Sequence, residues 1–202
     1  MHQLTANVPL VLAGLVATLA VTTTVHELGH LAMARVLRIP IRHVTVGLGP
    51  ALLRRSLGVE SELLLRAIPT GMTIGVLGRR DADGTLRRPI GHDILMAVAG
   101  PLMSFLLAAS LLAAGCNDFY PYWMRLWFGF TAFLSAFLGA ANLIPVPGLD
   151  GGHLLVLGAA LVGLQASPEH EMMVHRVGTR LMAAACLLSL LVTLVIRYQT
   201  LF

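Results

Sequence analysis

The stretch QLTANVPLVLAGLVATLAVTTTV, residues 3–25, contains no Asp, Glu, Lys, Arg or His, and His26-Glu27-Leu28-Gly29-His30 follows it without a break. About 20 apolar residues are enough for a helix to cross the ~30 Å hydrocarbon core of a bilayer. The pentapeptide is an HExxH motif. On a helix, residues four apart share a face, so two imidazoles stack with a carboxylate beside them. Ionisable groups at membrane depth are costly and usually functional. The stretch predicts a membrane helix that ends in a metal-binding pair.

The rest of the chain agrees. Of 202 residues, 56% are hydrophobic and only 12% are charged, and the mean hydropathy is +0.80. A soluble domain is about 25% charged, so this composition calls for a bilayer as solvent. Residues 94–117 and 126–149 are also free of charge and of histidine. Residues 181–196 form a shorter run that Arg180 and Arg197 can flank by snorkelling. Residues 154–168 are too few for a confident span and read as a short apolar segment. The first run lacks an N-terminal Lys or Arg and is too long for a signal-peptide core.

These patterns predict a polytopic helical bundle of about four full transmembrane helices, at ~8–34, ~93–115, ~123–144 and ~178–197. A short apolar segment is expected at ~153–166. Together these make one domain over residues 1–202. All 14 basic residues are arginine, and ten lie between the first two runs. The positive-inside rule then places residues ~35–92 and ~166–180 in the cytoplasm, with both termini outside. The pI near 9.8 reflects that asymmetry, and no basic, aromatic-interleaved surface suggests nucleic-acid binding. Cys116 and Cys186 have no CxxC spacing, so a disulfide framework is not expected.

Residues 41–77 do not read as a span. Strand-like pieces at 42–46, 62–66 and 73–77 are punctuated by Gly47, Gly49, Pro50, Gly58, Pro69 and Gly71. They predict a small antiparallel sheet or hairpin that dips into the membrane, where open backbone is tolerated only against protein or water. Val44, Val46, Ile74 and Val76 are candidate edge residues for an extended partner. Arg79–Arg88 reads as an exposed loop.

A catalytic zinc usually has three protein ligands and an open position. His26 and His30 supply two. Glu27, on an adjacent face, suits a base that takes a proton from a metal-activated water. For the third ligand, Asp150 is the best candidate. It closes Asn142-Leu-Ile-Pro145-Val-Pro147-Gly148-Leu149-Asp150-Gly151-Gly152, where prolines break a helix. Asp150 also suits a helix N-cap, and the two roles are compatible. His153 is the rival ligand. His43 and His92 read as loop or interface residues. Asn142 can donate to a developing oxyanion, or equally make an interhelical hydrogen bond.

With these residues in view, the chain resembles the site-2 protease family of intramembrane zinc metalloproteases, peptidase family M50. His26-Glu27-Leu28-Gly29-His30 matches its HExxH. Asn142, Pro145 and Leu149-Asp150-Gly151 match its NxxPxxxLDG. Ala99-Gly100-Pro101 is similar to the Ala-Gly-Pro that opens a core helix, and Gly47-Leu48-Gly49 to the glycine pair of its re-entrant β-segment. The resemblance implies one zinc per chain on His26, His30 and Asp150, Glu27 as base and Asn142 near substrate. It implies hydrolysis within or beside transmembrane segments of membrane proteins already cut by another protease, in a bacterial inner membrane with the site toward the cytoplasm. The short loop at 118–122 and the six residues after Ile196 suggest a minimal form without PDZ or CBS domain. Two other classes stand beside this reading. A catalytically silent chaperone or adaptor of the same fold has no need of Glu27. A metal-ion transporter calls for mid-bilayer ligands and a second acidic pair, which the sequence lacks.

Overall fold

The structure, a computed structural model, describes residues 8–56, 61–77, 88–164, 173 and 177–178. They divide into two compact units, Met1–Asn142 and Leu143–Phe202. In the first unit, α1 (Val8–Val36) leads into β1 (Ile41–Ser56) and β2 (Glu62–Val76), followed by α2 (Ile90–Gly115) and α3 (Tyr122–Asn142). The second unit contains α4 (Asp150–Leu161).

The helices form in long, largely uncharged runs rich in Leu and Ala, with proline at tolerated positions. Pro9 lies in the first turn of α1, where its missing N–H is not needed. Pro101 lies inside α2, a placement that membrane helices accept because neighbouring groups satisfy the freed carbonyl. α1 has 29 residues, about 43 Å of helix. Among the described residues, α2 and α3 are long and apolar enough to cross a membrane, and α4 is a shorter apolar helix. Of the expected four full spans, two are met by these helices among the described residues, and the expected last span lies almost wholly outside the described residues.

The first unit is packed inside out. On α1 the buried positions are Thr18, Thr22, His26, Gly29 and Ala34, while Val16, Leu19, Val21 and Leu28 are exposed. α2 buries Ala97, Gly100, Pro101, Ser104 and Ala108 and exposes Leu95, Leu102, Leu106 and Leu112. α3 buries Ala132, Ser135 and Gly139. The largest fully buried side chains are Thr22, Pro101, Ser104 and Ser135. Where the outer solvent is itself apolar, burying leucine gains nothing. Helices then associate through small residues and hydrogen bonds. α1 packs on α2, α3 and β2, and α2 packs on α3. Gly14 of α1 meets the indole of Trp127 on α3. At the far end of α2 and α3, Asp118 pairs with Arg125 across the connecting turn.

β1 and β2 pair antiparallel, and both fold back on themselves. Gly47 and Gly49, each at φ +89°, bend β1 between its arms. The register sets the arms in order. Val44 faces Ile74 on one side and Leu63 on the other; Val46 faces Met72 and Leu65. The first arm of β1 is therefore central. This corrects the expectation that Val44 and Val46 lie on an edge. Each has neighbours on both sides because β2 wraps around the first arm of β1. Among the described residues, the edges are the arm containing Ile74 and Val76 and the arm of residues 51–56.

Arg88 also departs from expectation. Its loop reads as exposed, yet the Arg88 side chain is 9% exposed and pairs with Asp93 at 2.7 Å. Its Nε donates to Asp93 Oδ1 at 2.8 Å, and its Nη1 donates to the Leu77 carbonyl at 2.8 Å. One guanidinium thus fastens the end of β2 to the first turn of α2, where a carboxylate also suits the helix dipole.

Candidate metal centre

His26 is buried and His30 half-buried, one turn apart on α1. Each ring is anchored through Nδ1. His30 Nδ1 lies 2.7 Å from the Met96 carbonyl oxygen. A carbonyl can only accept, so Nδ1 carries the proton and Nε2 the lone pair. His26 Nδ1 lies 2.9 Å from Ser104 Oγ. Both Nε2 atoms then converge, 3.3 Å apart, with the rings crossing at 78°.

That separation tests the fit to zinc. Two nitrogens at ~2.0–2.1 Å from one tetrahedral ion stand about 3.3 Å apart. The space facing them is kept open by α2. A Cβ built on Gly100 would collide with His30 Nε2 and come within 2.8 Å of His26 Nε2. The reciprocal contact is as close: a Cβ on Gly29 would strike the Ala99 carbonyl and the Met103 side chain. The two glycines let α1 and α2 approach at the histidine turn. Two imidazoles with occupied Nδ1 atoms and a cleared space at Nε2 suit zinc.

Glu27 follows His26 on the same turn and is half-buried. Asn142 ends α3, half-buried, and its Nδ2 donates to the Leu138 carbonyl at 3.0 Å. Its second amide hydrogen and its oxygen are not needed for that bond.

In the second unit, Val146-Pro147-Gly148-Leu149 forms a turn closed by Leu149 N to Val146 O at 3.1 Å, with Gly148 at φ +104°. Proline then glycine at the central positions is the type II pattern. Asp150 is half-buried and is the first residue of α4, and Leu149 occupies the cap position. The N-cap role is therefore displaced by one residue. Asp150 instead offers its carboxylate at a favourable helix N-terminus. Gly151 packs under the Leu143 and Ile144 carbonyls, where a Cβ would collide. His153 is exposed, His43 is exposed beside Gly75, and His92 is half-buried near the start of α2. His26 and His30 in the first unit, and Asp150 in the second, carry the donor types a metal ion takes.

Peptidase family M50 matches residues 14–120 and 118–185. The chain belongs to that family. Zinc metalloprotease RasP of Oceanobacillus iheyensis is 37% identical over 93 residues, 46% of this chain and 20% of that protein. Regulator of sigma-E protease RseP of Salmonella typhimurium is 31% identical over 105 residues, 48% of this chain and 23% of that protein. The chain spans about a quarter of the length of such relatives. In three dimensions it is similar to the site-2 protease from Methanocaldococcus jannaschii, with a TM-score of 0.53 and 24% identity. That match covers 91% of this chain and 70% of the other. The likeness shows the site-2 protease fold.

Three residues at this centre escape a reading of the sequence: Ser104, Ser135 and, through its carbonyl, Met96. Ser135 Oγ donates to the Ser104 carbonyl at 2.8 Å. The only available signal is a serine inside an uncharged run, and Ser110 shows its weakness. Ser110 merely bonds back to Leu106 O at 2.8 Å.

Proposed function

We propose that the chain is a zinc endopeptidase that hydrolyses a peptide bond in or near the transmembrane segment of membrane-protein substrates. The observation that carries this reading is the convergence of His26 Nε2 and His30 Nε2 at 3.3 Å, with HExxH placing Glu27 between them. Asp150 is the third ligand in this reading, consistent with the chemistry of the His26, His30, Asp150 donor set. When bound, zinc polarises the scissile carbonyl and the attacking water.

The chain's own residues do the rest. Glu27 accepts the proton of the attacking water and delivers it to the departing amine nitrogen as the C–N bond breaks. The second Asn142 N–H donates to the substrate backbone or to charge developing on its carbonyl oxygen. A helical substrate hides its peptide bonds in its own hydrogen bonds and must unwind, and the freed groups cost several kcal/mol each if unpaired. The outer arm of β2 offers an edge for an unwound, extended segment. What supports this placement is Gly71, at the start of that arm, which packs against Thr23. Thr23 lies one helical turn before Glu27.

The arginine distribution supports a cytoplasm-facing site with both termini outside, and the membrane in this reading is a bacterial inner membrane. The substrate is a membrane protein first trimmed by another protease, since a short soluble stub is the easier entry. Glu27→Gln is the test. It removes the base and no ligand, so zinc should stay at one per chain while cleavage of a model transmembrane substrate falls about 100-fold or more. Cleavage within a few-fold of wild type would remove this mechanism.

A further inference from the structure

We infer that Ser104 is a positioning residue for the metal centre: its hydroxyl holds the ring plane of His26 and can accept from Nδ1 in the tautomer that frees Nε2 for a metal, and Ser135 locks Ser104 in place. The inference rests on the reading of His26 as a zinc ligand.

The two histidines are held by different chemistry. His30 faces a carbonyl, which can only accept, so its tautomer is settled by the backbone of α2. His26 faces a hydroxyl, which can donate or accept. Its tautomer therefore depends on how Ser104 Oγ is oriented, and its ring plane on where Ser104 stands. Ser104 is fully buried, and so is Ser135. A buried hydroxyl in apolar surroundings is costly unless bonded. Membrane-helix serines commonly satisfy themselves on a carbonyl one turn back, as Ser110 does. Ser104 reaches across to α1 instead, and Ser135 reaches from α3 to the Ser104 carbonyl.

The result is a buried polar chain through three helices, Ser135 to Ser104 to His26. Packing holds it tightly. A Cβ on Gly139 would lie 3.0 Å from Ser104 Cβ and 3.1 Å from the Pro101 carbonyl. With Nδ1–H donating to Ser104 Oγ, His26 presents its lone pair at Nε2, toward His30. Partners that bond the far nitrogen of a ligating histidine raise its basicity and hold its plane, and their loss typically weakens metal affinity ~10–100-fold.

The test uses the full chain in detergent micelles. Zinc affinity is measured by competition with a chelator, and the visible spectrum is recorded after cobalt substitution. Ser104→Ala should weaken zinc binding by about 10-fold or more and shift the cobalt bands. Helical content and the melting temperature of the metal-free protein report whether it folds. Ser104→Cys, a weaker acceptor of similar size, should fall between the two, more than twofold weaker than wild type but tighter than Ser104→Ala. Ser135→Ala should weaken binding less than Ser104→Ala. If Ser104→Ala or Ser104→Cys, folded, binds zinc within twofold of wild type with an unchanged cobalt spectrum, the positioning role is wrong. His26→Ala separates the two levels. Retained zinc in that variant would overturn the metal-site reading itself; lost zinc there beside wild-type binding in Ser104→Ala would overturn only the role of Ser104.

Discussion

Gly100 on α2 stands directly opposite His30 on α1, so close that any side chain at Gly100 would collide with the histidine Nε2. The space where that side chain would be is the space a metal needs. Gly100→Ala should therefore leave the helices assembled and lower zinc affinity by at least ~10-fold. Zinc content after dialysis against a chelator checks it. A fully loaded Gly100→Ala protein would place the metal elsewhere.

Asp150 and His153 compete for the role of third ligand. Asp150→Ala should lower zinc occupancy and activity together, because a lost ligand weakens binding as well as chemistry. His153→Ala should keep its zinc. Elemental analysis of the purified variants decides between them, and the reverse result would give the ligand role to His153.

The Arg88–Asp93 pair predicts a stability effect away from the chemistry. Both side chains are about nine-tenths buried. Removing one partner of a buried pair strands the other, at a cost of about 3–5 kcal/mol. Arg88→Ala should lower the melting temperature sharply. The double change Arg88→Met with Asp93→Leu should recover most of it. Equal melting temperatures for wild type and Arg88→Ala would show that the staple is dispensable.

The sheet edge can be probed with proline. Neighbouring residues on a strand direct their N–H groups to opposite sides. Of Thr73→Pro and Ile74→Pro, one should break a bond within the sheet and reduce stability. The other should remove an outward donor, leaving fold and zinc intact while slowing cleavage several-fold. Turnover of a folded, zinc-loaded outward variant at the wild-type rate would end the strand-addition proposal.

Orientation is open to labelling. Cys116 is a free, exposed thiol just beyond α2. In a Cys186→Ala background it should react with an impermeant reagent from outside the cell. A cysteine placed at Ala82 should react only from the cytoplasmic side. The opposite pattern would invert the topology drawn from the arginines.

Much of this architecture was legible because its strongest signals are covalent neighbours. HExxH needs only a helix to bring His26 and His30 together, and an uncharged run is nearly enough to make that helix. The glycines and prolines of residues 47–71 likewise mark the bends of the sheet. What could not be read depends on distant partners. Val44 is central rather than at an edge because β2 wraps around it, and strand order is not written in alternation. Arg88 looks like the last member of a polar loop, and only its contact with Asp93 and Leu77 distinguishes it from a solvated arginine. Ser104 and Ser110 occupy the same run with the same chemistry, yet one faces α1 and the other its own helix. The capping of α4 was misjudged by one residue, the scale at which helix boundaries usually blur.

The small-residue interior of the first unit inverts the usual logic of mutational scanning. Ala97, Ala99, Ala108 and Ala132 are already alanine, so an alanine scan would pass over these buried contacts unchanged. Substitution toward bulk is the informative direction, since inserting methylenes into a packed core costs about 1–3 kcal/mol. A leucine scan should light up the inward faces of α1, α2 and α3 and pass quietly over the leucine-rich outer ones, tracing helix contacts that truncation would leave dark.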